Sequence, residues 1–356
     1  NSAFGYPGLS YTRVSSNNVT WEIAKKHDVG IDLYLWGDKF GLTLDYFDEK
    51  REGIYMGRDY LSDMVGIQGD NPSANVGSVK SEGFDGNFKF DERIGEVAFQ
   101  VRGNFTYSKN EILEADEMVN RYPYLRRTGF RVDQAKGLVA LGLFEDYDDI
   151  RNSPRQDFAD VRDVMPGDIK YKDVNGDGIV NNDDIVPIGA TTRPNLIYGL
   201  GLSASWKGFD FNLHFQGAGK SNFFINGFTV YPFINGEWGN ILEEMADSNR
   251  WILGVNEDPQ AEYPRLSYGG NANNYRPSTY WLRDGSYLRL KTLEMGYTLP
   301  KSLTQKLYLD KVRLHVIGQN LLTFSKFKLW DPEMGSSNGM KYPLGKTVTF
   351  GLTVNL

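Results

Sequence analysis

Thr347-Val-Thr-Phe-Gly-Leu-Thr-Val-Asn-Leu356 closes the chain with strict alternation. Val348, Phe350, Leu352, Val354 and Leu356 fall on one face; Thr347, Thr349, Gly351, Thr353 and Asn355 fall on the other. A period of two is the signature of a strand with one apolar and one polar side. The same grammar recurs upstream. Val97, Phe99, Val101, Phe105 and Tyr107 alternate with Glu96, Gln100, Arg102, Asn104 and Thr106. Phe209, Phe211, Leu213 and Phe215 alternate with Asp210, Asn212, His214 and Gln216. Those second faces are too polar for a protein core and suit a water-filled lumen, with lipid on the greasy side.

Working outward, strands are expected at 28–36, from Phe40 through Tyr46, at 76–90, 97–107, 196–206, 209–216, about 281–298, 312–325 and 347–356. A change of phase between Leu290 and Leu293 predicts a bulge. Connections at 37–38, near 92–94, at 207–208 and at 299–311 are short; those at about 57–75, 111–193, 225–280 and 326–346 are long. Short and long alternate, as in a membrane barrel with short inner turns and long outer loops. Nine strands are an odd number, whereas a bacterial single-chain barrel takes an even one. The chain is therefore expected to be a C-terminal portion, about 9–10 antiparallel strands, of a large all-β transmembrane barrel occupying 1–356 as one partial domain. Trp36, Trp206 and Trp281, near strand ends, are expected in membrane-interface girdles.

Bulk properties agree. The chain has 356 residues, 14% aromatics and no cysteine. Its mean hydropathy is −0.46, and it holds no run of about 20 apolar residues of the kind a membrane helix needs. A net charge of −7 speaks against a nucleic-acid partner, which requires clustered Lys and Arg. Without cysteine, disulfides and thiolate metal sites are excluded.

Several segments together resemble the SusC/RagA family of TonB-dependent outer-membrane transporters, in its C-terminal half. They are Thr20-Trp-Glu22 with Gly30-Ile-Asp32, Leu44-Asp-Tyr-Phe47, and the run from Gly167 through Asp173 to Gly178. Farther on come Asp284-Gly-Ser-Tyr-Leu-Arg-Leu-Lys291 with Gly296-Tyr-Thr-Leu-Pro300, Gly318-Gln-Asn-Leu321 through Trp330-Asp-Pro-Glu333, and Tyr342-Pro-Leu344 through Phe350-Gly351. The resemblance implies a barrel of about 22 strands when complete, in the outer membrane of a Gram-negative bacterium, plugged by an N-terminal domain that this chain lacks. It also implies import of oligosaccharides or oligopeptides, a SusD-like surface lipoprotein as lid, and energy delivered through TonB. Members usually end in an aromatic residue, where this chain has Leu356.

One motif has ligand chemistry of its own. Asp173-Val-Asn175-Gly-Asp177-Gly-Ile179-Val-Asn181-Asn-Asp-Asp184 matches a twelve-position calcium loop. Oxygen donors fall at positions one, three and five, Gly at six, the Ile179 carbonyl at seven, Asn181 through water at nine and Asp184 at twelve. A structural Ca²⁺ is expected there; the alternative is an Asx-rich turn, which the same residues make without metal. In the 225–280 loop, Tyr231, Trp238, Trp251 and Tyr275 are candidates for substrate or lid contact, against the alternative that the loop folds a small core of its own.

Other motifs carry less. Gly219-Lys220-Ser221 lacks the first Gly of a phosphate loop, since position 214 is His214. His27, His214 and His315 are far apart in sequence. Glu145-Asp146 with Asp148-Asp149 reads as a solvated acidic loop before it reads as a glycosidase pair. No catalytic residue and no organic cofactor is assigned. The competing fold is a secreted, calcium-stabilised β-sandwich that binds glycans, in which Phe99, Phe211 and Phe350 would meet in a dry core; a surface hydrolase is the third class.

Overall fold

The computed structural model of the chain describes residues 15–16, 19–58, 60, 72–158, 160, 163–234, 241–246 and 249–355. Trp238 and Leu356 lie outside the described residues. Nine long strands run β1 Ile23–Leu35, β2 Phe40–Gly57, β3 Ser73–Ile94, β4 Val97–Glu114, β5 Leu196–Trp206, β6 Phe209–Gly219, β7 Tyr287–Thr298, β8 Lys311–Ser325 and β9 Thr347–Asn355. They form one nine-stranded sheet in which each strand neighbours the next in sequence. The pairings from β4 to β9 are all antiparallel. Among the described residues no helix is long and apolar enough to cross a membrane.

The tight turns follow from residues that take positive φ. Lys207 and Gly208 (45° and 86°) close the β5–β6 hairpin, and Trp36, Gly37 and Asp38 close β1–β2. The turn expected near 92–94 instead falls just after Ile94, because Gly95 at φ 60° supplies the reversal while β3 stays extended through Ile94. The 299–311 connection holds a short helix, Lys301–Thr304, and ends on left-handed Tyr308.

Contacts divide the chain into two compact units, Asn1–Val29, Tyr46–Gly83 and Ser108–Val132 in the smaller, and Gly30–Asp45, Phe84–Tyr107 and Asp133–Leu356 in the larger. In the smaller unit, cross-strand charge pairs decorate the strands: Lys25–Glu52 at 2.9 Å, Lys26–Glu49 at 3.0 Å and Lys109–Glu82 at 2.8 Å. Each contributes little by itself, but like charges in a slipped register would repel.

In the larger unit, register turns alternation into a continuous band. Val316 sits opposite Phe350 and Met295, Met295 opposite Phe211, Phe211 opposite Ala204, and Ala204 opposite Phe99. Among the described residues nothing covers the band where it reaches β9: Val348, Phe350 and Leu352 are 55%, 78% and 61% exposed. The dry-core sandwich is thereby overturned. The hydrophobic core cluster of the described residues contains no residue of the nine strands; it is built from the long connections, around Leu138, Tyr171, Ile225, Trp251 and Trp281. At the short-turn end, Trp206, Phe209 and Tyr297 form an aromatic row with centroid spacings of 6.4 and 4.4 Å. Trp36 and Trp206 are exposed there, as a girdle requires. Trp281 is not: it is fully buried in the loop core, where its indole nitrogen donates to the Asn274 carbonyl at 2.5 Å.

The expected bulge is present. Leu290 and Thr292 pair with consecutive residues of β6, so Lys291 has no opposite number. On β8 the same level holds Asn320 at φ 54°, whose side-chain amide donates to the Gly345 carbonyl at 3.1 Å. Just beyond the bulge Arg289, 1% exposed, pairs with Asp331 at 2.5 Å and with Glu333 at 3.5 Å. The 326–346 connection is thus tied to adjacent strands near both of its ends.

A band that faces hydrocarbon predicts opposite outcomes for adjacent residues. In lipid vesicles Phe350→Lys is expected to lower unfolding stability by about 2–4 kcal/mol, whereas Thr349→Lys, on the polar face, changes it little. Equal effects in a urea titration of the vesicle-embedded full-length protein would exclude the assignment of faces.

Candidate functional site

The polar face of the sheet is the first candidate surface. Arg102 lies opposite Gly201, which lies opposite His214; Asn104 and Gln216 flank Gly199 in the same way. Nearer the short turns Arg313 pairs with Asp210 and with Glu294, the latter at 2.6 Å. Ser203 donates to Asn212 at 3.1 Å, Gln100 to Asp91 at 2.6 Å and Lys39 to Glu92 at 2.9 Å. Lys39, Gln100, Asp210, Asn212 and Arg313 line a recess of about 870 Å³ in the larger unit, and Arg102, Asn104 and His214 line a second of about 330 Å³. Arg102, Asn104, Asp210, Asn212 and Gln216, the residues expected on the lumen wall, all lie on this one face. Arg313 and Glu294 were not singled out from sequence, because each is an ordinary polar position of an alternating strand.

The second candidate is the body built by the long connections. Short ribbons organise it: Ala140–Leu143 pairs with Ile169–Tyr171, Arg155–Gln156 runs parallel to Ile179–Val180, and Asn222–Phe224 pairs with Leu282–Asp284. Aromatic residues fill the centre. Tyr231 and Tyr275 stack at 4.2 Å and 7°, and Tyr231 meets Trp281 edge-on at 5.2 Å. Tyr231 and Trp251 are 6% and 5% exposed, and Tyr275 is partly buried against the same cluster. A Cβ on Gly167 would lie 2.3 Å from the Trp251 ring, so that close approach requires glycine. These three aromatics therefore build the loop body, and little of Tyr231 or Trp251 is left to face outward.

A polar network that sequence reading missed runs through this body. Asp168 is fully buried. It accepts from Asn271 at 2.8 Å, from Asn274 at 3.0 Å and from the Met165 amide at 2.9 Å, and it pairs with Arg265 at 2.7 Å. Asn273 donates to the Ile169 carbonyl at 3.0 Å, Asn274 accepts from the Ile169 amide at 2.8 Å, and the Tyr171 hydroxyl donates to the Asn273 carbonyl at 2.8 Å. Gln156 accepts from the Tyr171 amide at 2.7 Å. The network satisfies groups whose burial alone would cost about 1–3 kcal/mol each. Its signal in the sequence is the density of amides in Asn271-Ala-Asn273-Asn274.

The twelve-position loop is held by its own side chains. Asp173 accepts from the amides of Gly176 at 2.7 Å and Gly178 at 2.8 Å, Asn175 from Asp177 at 2.9 Å, and Asp177 from Ile179 at 2.9 Å. Asp184, fully buried, accepts from Val174 at 2.7 Å with one oxygen and from Asn181 at 2.8 Å with the other. Asn181 caps the short turn Asn182–Asp184. Among the described residues no three His or carboxylate side chains converge as a metal cluster. Asp173 and Asp184 each have both carboxylate oxygens bound to backbone amides, and Asp184 is in addition fully buried, which makes it the poorest donor of the set for a hard cation.

The remaining motifs have structural employment. Asp146 caps the helix Tyr147–Asn152. Asp149 pairs with Lys170 at 2.7 Å; burial would raise its pKa, but Lys170 and the Glu145 amide outweigh that and hold it low. Lys220 lies over the Tyr107 ring at 4.8 Å rather than in a phosphate cradle.

An exposed apolar band, a polar opposite face and a folded loop body define the wall of a transmembrane β-barrel. Comparison with known proteins narrows the class. The chain is 28% identical to TonB-dependent receptor P26 of Formosa agariphila, over 98% of this chain and 36% of that protein. It is 27% identical to TonB-dependent receptor P3 of the same organism, over 98% and 35%. Among solved structures, the RagAB peptide transporter matches with a TM-score of 0.71 at 21% identity, over 100% of this chain and 38% of that one. The RagAB peptide importer in its open-open state matches with a TM-score of 0.72 at 20% identity. No family model matches. The chain is similar over nearly its whole length to TonB-dependent receptors, and it shares the fold of the matching part of the RagAB transporter. It spans little more than a third of the length of these relatives.

Buried phenols make the loop body sensitive to alkali. Burial pushes Tyr275 up to about 12, and pushes Tyr171, Tyr231 and Tyr280 higher still. A group raised in the folded state stabilises fully below its unfolded pKa, about 10, and that contribution is lost as pH rises through the folded value. The loop body is expected to hold to about pH 10 and to open near 12, with phenolate absorbance appearing together with unfolding. Phenolate signal at pH 10 from a folded body would contradict the burial.

Proposed function

We propose that the full-length protein carrying this chain imports a nutrient across the outer membrane by TonB-dependent transport, by binding and gated passage and without chemistry on the cargo. The observation that carries this reading is the separation of surfaces: an uncovered apolar band on one side of the sheet, and Arg102, Asn104, Asp210 and Asn212 on the other. The nine strands would join others to close a barrel of about 22 around an N-terminal plug, with residues 1–356 as one part of that barrel domain. The loop body would form the rim of the outer mouth, where a SusD-like lipoprotein would close over the cargo. The cargo is an oligomer dense in hydrogen-bonding groups, an oligosaccharide or an oligopeptide; the name of the RagAB relatives favours the peptide.

Deletion of the gene is expected to abolish depletion, by intact cells, of either a peptic casein digest or a partial starch hydrolysate. Loss of TonB should do the same. Unchanged depletion of both pools in the deletion strain would remove the import reading for them.

We also propose a structural Ca²⁺ on Asp173, Asn175, Asp177 and the Ile179 carbonyl, with water completing its shell. Calcium is expected to slow hydrogen exchange across 173–184, and Asp177→Asn to remove that effect. Asp184→Ala should loosen the loop by about 1–3 kcal/mol with or without calcium. Exchange indifferent to calcium would leave the loop as an Asx turn alone.

A further inference from the structure

On the polar face, glycines occupy positions where a strand gains from a side chain. A glycine inside a strand costs about 0.5–1 kcal/mol relative to alanine. Each of five has the place of its missing Cβ taken by a neighbour's polar side chain. A Cβ on Gly201 would come 2.6 Å from Nε of Arg102 and 2.8 Å from its Cγ. On Gly199 it would meet the Asn104 carboxamide at 2.4 Å, and on Gly351 the His315 ring at 2.1 Å. On Gly296 it would strike both Arg313 and Asp210 at 2.5 Å, and on Gly30 the Asp45 carboxylate at 2.1 Å. In four of these the covering residue is the cross-strand partner or stands beside it: Arg102 opposite Gly201, Asn104 opposite Gly199, His315 opposite Gly351 and Asp210 opposite Gly296. The apolar face uses the same device with rings, Tyr198 over Gly217 at 2.2 Å and Phe88 over Gly103 at 2.4 Å. Coverage therefore matches the chemistry of each face, and on the polar face it folds the reach of an arginine or histidine against the wall.

We propose that Gly199, Gly201, Gly296 and Gly351 are positioning residues that set the clearance of the bore: they let Arg102, Asn104, Arg313 and His315 lie along the wall, so that long cargo passes a low polar surface rather than a ring of projecting side chains. The inference rests on the import reading above. It follows from contact distances, since approach of a Cβ to within 3.0 Å forces the facing atoms to move. For Arg102 the crowded atoms include Cγ near the root of the side chain, so the whole chain must turn away from the wall.

The test uses the full-length protein in its own outer membrane, with Gly201→Ala, the double variant Gly201→Ala/Arg102→Ala, and Gly219→Ala as control. A Cβ on Gly219 meets nothing closer than 3.5 Å, so that change removes a strand glycine without displacing anything. Cryo-EM maps are expected to show Arg102 raised off the wall in Gly201→Ala and unmoved in the control. With the casein digest and the starch hydrolysate as probes, Gly201→Ala should deplete the longest oligomers several-fold more slowly than the shortest, and the double variant should regain the wild-type length profile. Arg102 still flat against the wall, a length profile unchanged despite a raised Arg102, or no recovery in the double variant would each overturn the proposal. If wild-type cells deplete neither pool, the import reading for those pools has failed, and the position of Arg102 in the maps still decides whether the glycine acts as a saddle.

Discussion

Hydrogen bonding in a medium without water is the constraint on which the structure depends. A backbone amide or carbonyl unpaired in hydrocarbon costs several kcal/mol, so a chain that crosses with strands must pair them laterally. The sheet from β4 to β9 does so residue by residue, and the two irregular sites, at Lys291 and Asn320, stand together at one level. With the backbone occupied, side chains are free to divide by face. The apolar face then needs no partner within the chain, which is why Phe350 and Leu352 stand open while the aromatic core lies elsewhere.

That core belongs to the connections. A long loop without internal packing would carry unsatisfied backbone and a large entropy cost. Here the loops solve both problems together: rings fill the centre, and Asp168 with the Asn271–Asn274 amides satisfies the polar groups that burial strands. Arg289 extends the same logic to the wall. It is a nearly inaccessible cation on a strand, neutralised by Asp331 and Glu333 of the connection above it.

The wall was legible in the sequence because alternation is a local signal. All nine strands, the bulge after Leu290 and the sorting of Arg102, Asn104, Asp210 and Asn212 onto one side can be read from period two alone. The limits of legibility are equally physical. The end of β3 depended on which residue could take positive φ, and Gly95 decided it. Trp281 sits next to a strand in sequence, yet three-dimensional packing carries it into the loop body rather than to the membrane interface. The Asp168 network was invisible because its members lie about a hundred residues apart and none belongs to a periodic segment. The twelve-position loop is legible as a spacing, but the spacing does not say where its carboxylates point, and Asp184 turns inward to bind amides.

In the Asp168 network, Asp168 and Ile169 meet Asn271 and Asn274 across 103 to 106 positions, from different connections of the sheet. Transplanting either segment alone onto another scaffold would leave carboxylate, amides and carbonyls stranded in a dry interior. The two connections are consequently a single exchangeable module: variation in the loop body has to replace both together, or confine itself to their outward-facing residues.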